Sequence, residues 1–88
     1  MATKTFKIGE YAQGGIIQAE VKGKKITIIS KEMYGSKKEL ERTSVEENED
    51  NAQWTLTDKL NEWTTHYYAE QVMDWIKANS AIRTSFFR

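Results

Sequence analysis

The chain has 88 residues, of which 39% are hydrophobic, 11% aromatic and 30% charged, with 13 basic against 13 acidic side chains. That is room for one domain, 1–88, with apolar material for a core and charge for solubility, and it excludes collagen-like, mucin-like and strongly disordered classes. There is no cysteine and a single histidine, which removes disulfide scaffolds, thiol nucleophiles, zinc-thiolate sites and His-rich metal sites.

No apolar run approaches the ~18 residues of a membrane span, and Met1-Ala2-Thr3-Lys4 lacks the apolar region of a signal peptide. A reduced, cytoplasmic setting is the expectation. Charge is unevenly placed along the chain. Residues 1–44 carry nine basic and five acidic side chains, a net of +4, and residues 45–88 carry four and eight, a net of −4. Such halves either attract each other inside one fold or steer a partner.

The first half predicts β-structure, with strands within residues 3–47. Phe6 and Ile8 alternate with Thr5 and Lys7, the period of a half-buried strand. Gly14-Gly15 breaks the pattern. From Ile16 to Lys22 the residues Ile17, Ala19 and Val21 share one face, and Gln18, Glu20 and Lys22 the other. Gly23 supplies the positive φ of a hairpin tip. Lys24 to Met33 holds Ile26, Thr27, Ile28 and Ile29, apolar or β-branched on both faces, which reads as a central strand. Tyr34-Gly35-Ser36 is the next turn. Residues 39–47 read as a charged edge strand, with an acidic loop as the alternative, because Glu39, Glu41, Glu46 and Glu47 lower β-propensity.

The second half predicts two helices, about 53–64 and 66–79. Leu56, Leu60, Trp63 and Tyr67 fall within about 60° of one another at ~100° per residue. Tyr68, Val72, Trp75 and Ile76 form a second stripe displaced by roughly 135° on the same arithmetic. One straight helix cannot turn both stripes to a sheet, so a break is expected near Thr64-Thr65-His66, where adjacent β-branched residues weaken helix. Thr55 with Asp58 resembles a capping box for the first helix, and Asn79-Ser80 ends the second. A short aromatic tail, 81–88, carries Phe86 and Phe87, which either fold back or form a homodimer or partner contact. The fold class is therefore α+β: an antiparallel sheet of three or four strands followed by two helices on one face, with Trp54, Trp63, Trp75 and Tyr67 as core.

The chemistry narrows by type of site. His66 is the one imidazole, no nucleophile motif accompanies it, and a capping role at the helix junction is the expectation. The run Glu46-Glu47-Asn48-Glu49-Asp50 lacks calcium-loop spacing, and the glycines form no phosphate-binding fingerprint. No cofactor, metal or catalytic residue is expected. Lys22, Lys24 and Lys25 at the hairpin tip, with Tyr11 and Tyr34 as stacking residues, fit a nucleic-acid-binding accessory domain. Against that, the chain is neutral overall, whereas phosphate backbones need a concentrated positive stripe. Glu39, Glu41, Glu46, Glu47, Glu49 and Asp50 fit an acidic ridge that mimics nucleic acid. The leading expectation is recognition of another protein, with Tyr11, Tyr34, Tyr68, Phe86 and Phe87 as anchors.

One stretch carries a resemblance of layout. Lys24-Lys25-Ile26-Thr27-Ile28-Ile29-Ser30 runs through the Tyr34-Gly35-Ser36 turn into Lys38 to Val45, and is followed by Leu60-Asn61-Glu62-Trp63. Across roughly residues 15–78 this order resembles small phage-encoded anti-CRISPR proteins. The resemblance implies a non-enzymatic mobile-element protein that inhibits a bacterial defence complex by binding its protein surface, and assigns a role to no individual residue.

Overall fold

The computed structural model describes residues 1–82. Four strands, β1 (Ala2–Lys7), β2 (Gly15–Lys22), β3 (Lys25–Glu32) and β4 (Glu39–Glu46), are followed by two helices, α1 (Ala52–Trp63) and α2 (His66–Asn79). A 3-10 turn at Gly9–Tyr11 lies between β1 and β2. The sheet is antiparallel in the order β1-β2-β3-β4. It is thus an α+β fold built from hairpins, whose connections can be short because each strand pairs with the next.

Register decides what faces the helices. Lys22 pairs with Lys25, which leaves Gly23-Lys24 as a two-residue loop. Gly23, at φ +61°, takes its first position, where a type II′ turn requires glycine. That turn fixes Ile17, Ala19 and Val21 of β2 on the same face as Ile26 and Ile28 of β3 and Val45 of β4. Ala52, Leu56, Leu60 and Trp63 of α1 and Ala69, Val72, Met73 and Ile76 of α2 close over this face. α1 lies against β4 and α2 against β2. Each large aliphatic side chain buried here contributes about 1.5–3 kcal/mol relative to an exposed one. Ile82, just past α2, joins the same core.

β3 is buried on both faces. Ile29 and Ile16, diagonal neighbours across β3 and β2, are buried although they belong to the face away from the helices. Segment 39–46 forms the edge strand β4, so the strand reading and not the loop describes it.

The helix break falls at Thr64 and Thr65, both extended, with φ −152° and −79°. The connection from β1 to β2 folds over this break. Gln13 N–H donates to the Trp63 carbonyl at 2.6 Å, the Thr64 hydroxyl donates to the Tyr11 carbonyl, and Ala12 forms an isolated bridge with Thr64. The far end of the sheet and the helix junction are thereby clamped to each other.

Three expectations need correction. Trp54 is 56% exposed and Tyr67 65% exposed, so neither is core, whereas Trp63 is buried and Trp75 packs against the core. Trp54 precedes Leu56 by two residues, which at ~100° each puts it on the outer side of α1. The α1 stripe does not continue to Tyr67, because the break resets the phase, and Tyr67 lies five residues from Val72, roughly 140° around α2. Thr55 and Asp58 do not open α1. The helix starts at Ala52 with Asn51 at the N-cap, and no side-chain bond forms there.

Candidate functional site

The charged candidates divide between the two ends of the sheet. Lys22, Lys24 and Lys25 are exposed at the β2–β3 tip. Pairing of β3 with β4 sets Lys25 opposite Glu46, and Glu47 N–H donates to the Lys24 carbonyl at 2.8 Å. The run Glu46 to Asp50 therefore turns beside the lysines. Within it, Glu49 Oε1 accepts from Glu46 N–H at 2.5 Å, and Glu47 Oε1 accepts from Ala81 N–H at 3.0 Å. Both signs of charge share this tip, so neither a purely basic stripe nor a purely acidic ridge forms there.

Glu39 and Glu41 are elsewhere, on opposite faces of β4. Glu39 pairs in register with Lys31 at the other end and holds Arg42 through two bonds of 2.9 and 2.7 Å. That guanidinium lowers the Glu39 carboxyl below its ordinary value. Glu41 turns toward α1, where it accepts from Lys59 Nζ at 2.8 Å and from Trp63 Nε1 at 2.9 Å. The Lys59 bond, then the Trp63 bond, hold its carboxyl low as well. Glu41 fastens β4 to α1, Glu39 pairs locally with Arg42 on its own strand, and the six acids do not make one surface.

The aromatic candidates do converge. Tyr11 ends the 3-10 turn, and Tyr67 and Tyr68 occupy the first turn of α2. The clamp described above brings these elements side by side. The Tyr11 and Tyr68 rings lie 5.9 Å apart, and Tyr67 meets Tyr68 edge-on at 5.0 Å and 74°. Tyr11 is 53% exposed beside the still more exposed Tyr67. The edge-on Tyr67–Tyr68 arrangement is a preferred one for aromatic pairs, and the Tyr11 ring is tilted 36° to Tyr68.

Tyr34, 81% exposed, borders the same end of the sheet. It lines an open depression of about 520 Å³ with Gly9, Glu10, Ala12, Gly14, Gly15 and Met33. Backbone and glycine dominate that lining, with Glu10 its one ionisable carboxyl. Exposed His66 opens α2 next to Tyr67. Among the described residues, no group of three or more His, Asp or Glu side chains gathers as a metal site, and no helix is long and apolar enough to cross a membrane.

Sequence reasoning named Tyr11, Tyr34 and Tyr68 but missed Tyr67 as a surface residue. Restarting the helical phase at Thr65 would have found it. Phe86 and Phe87 lie outside the described residues. No known family, characterised protein or solved structure matches the chain.

Proposed function

We propose that this chain is a small non-enzymatic protein-binding module whose contact surface is the cluster of Tyr11, Tyr67 and Tyr68, with Tyr34 beside it. The observation that carries this reading is a pair of exposed tyrosine rings, Tyr11 and Tyr67, each packed against the half-buried Tyr68 on a backbone already clamped by Gln13, Trp63 and Thr64. Tyrosine is enriched among the residues that dominate interface energies. Rings held in place before association lose little conformational freedom on binding. The partner is a protein surface with apolar pockets and polar groups at their rims to receive the hydroxyls. Layout resemblance to anti-CRISPR proteins directs the search to a bacterial defence complex, in the cytoplasm of a cell infected by a phage or hosting a mobile element.

The test is capture of that complex from host lysate with the wild-type chain and with Tyr11→Ala and Tyr67→Ala. Loss of capture by the variants at an unchanged melting temperature supports the reading. Capture that survives both substitutions sinks it. The nucleic-acid reading competes through Lys22, Lys24 and Lys25, and the acidic neighbours Glu46 and Glu49 weigh against it by weakening the field at the tip.

A further inference from the structure

The two edges of the sheet are treated differently. On β4, the bond from Glu47 N–H to Lys24 O fixes the hydrogen-bond phase. By the alternation of antiparallel ladders, the amides of Arg42, Ser44 and Glu46 then point outward. That edge is blunted at both ends: Glu49 occupies the Glu46 N–H, and the register shifts at Ser30/Lys31. Charges and bulges are the usual devices that protect an edge.

β1 pairs with β2 without a register shift, and its charged residues are Lys4 and Lys7, which repel a basic strand and admit an acidic one. It ends the strand order, and its partner on one side is β2. The Ile8 N–H bond to Gly15 O, 2.9 Å, sets the phase here, so Thr3, Thr5 and Lys7 direct their N–H and C=O groups outward. Charge on the strand itself is of one sign. β1 contains Lys4 and Lys7 and no acidic residue. A depression of about 390 Å³ alongside it is lined by Thr5, Lys7, Ile16, Gln18, Lys31 and Lys37. Glu20, in register with Thr3 and bonded to the neutral Gln18 amide, puts one carboxylate near the start of the strand, and Glu39 is paired with Arg42.

We propose that the β1 edge binds an extended acidic peptide segment, which adds to the sheet as a fifth strand through Thr3, Thr5 and Lys7 and sets its carboxylates against Lys7, Lys31 and Lys37. Main-chain bonding supplies attachment in this mode, and side-chain chemistry supplies selection. A second copy of β1 is the wrong occupant, since it brings two more lysines to a strand whose own charged residues are Lys4 and Lys7. This site is distinct from the tyrosine cluster and goes beyond it. The probe below contains no natural partner, so failure of either reading leaves the other standing.

The probe is a ten-residue peptide of alternating Glu and Val, with two controls: Lys replacing Glu, and Pro replacing every Val. Expected is binding of the first peptide alone, weakened at high salt, with amide exchange of Thr3, Thr5 and Lys7 slowed at least tenfold. Thr5→Pro removes an outward N–H and spares the β1–β2 ladder, a placement proline tolerates on an edge. It should abolish binding, and Lys7→Glu with Lys31→Glu should weaken it at least tenfold. No binding of the Glu-Val peptide overturns the proposal, as does equal binding by Thr5→Pro. Equal binding of the proline peptide shows charge attraction without strand addition, and equal binding of the lysine peptide removes the acidic selection. Self-association of the free chain that Thr5→Pro abolishes assigns the edge to a second copy. Should Thr5→Pro fail to fold, the exchange rates of the wild-type amides decide.

Discussion

At the scale of single residues, Glu41 and Gly14 carry the clearest consequences. Glu41 is held below its ordinary value of 4.5 by Lys59 and Trp63. A carboxyl depressed in the folded state stabilises it above the unfolded pKa, and that contribution is lost as pH falls through the folded pKa. Stability should therefore decline on acidification below about 4.5, and Glu41→Gln should flatten the decline in urea titrations taken at several pH values. Trp63→Phe keeps most of the ring but removes the indole donor, so the Glu41 titration should move back up, as carbon-detected NMR would show. Gly14 sits at φ +73°, and a Cβ there would lie 2.5 Å from Leu40 Cδ1 and 2.6 Å from the Lys31 carbonyl. Gly23, at φ +61°, has open space around it. Gly23→Ala should cost about 1–2 kcal/mol, from the left-handed backbone alone. Gly14→Ala should cost more, because backbone must also shift. Equal urea midpoints for the two variants would deny the close approach any weight.

At the scale of elements, period explains what the residues reveal and what they conceal. Ile17, Ala19 and Val21 alternate over a whole strand, and the helical positions repeat around a break marked by two β-branched threonines, so both were readable locally. β4 was readable only as a weak pattern, because Glu41 is an acid on the helix-facing side whose partners Lys59 and Trp63 come 18 and 22 residues later. Tyr67 was misplaced because its phase belongs to α2 and not to α1. The convergence of Tyr11 with Tyr68 was hidden for the same reason as the Glu41 bonds: no local period encodes a contact between distant segments. The caps yield a paired expectation. Thr64→Val keeps the shape but deletes the hydroxyl bond to Tyr11, which should cost about 0.5–1.5 kcal/mol and speed exchange of the Gln13 amide. Asn51→Ala should change stability by less than about 0.5 kcal/mol, since no side-chain bond forms at that N-cap. Differential scanning calorimetry of both variants reads the contrast.

At the scale of the whole molecule, opposite charges of the two halves are interleaved and not segregated. The β2–β3 lysines come from the basic half and the Glu46–Asp50 turn from the acidic half, and both meet at one tip. Duplex DNA immobilised on a column should therefore fail to retain the protein at low ionic strength, where phosphate attraction is strongest. Retention that falls steeply with salt would move the function to the lysine tip.

The clamp between Tyr11 and Thr64 joins residues 53 positions apart. A ribosome adding about 5–20 residues per second needs roughly 3–10 s to cover that interval. Through those seconds the nascent hairpins can pair, while their isoleucines still await α1 and α2. Production of this small chain thus includes an interval of greasy, unroofed surface, when a chaperone or a neighbouring nascent copy competes with the chain's own unfinished lid.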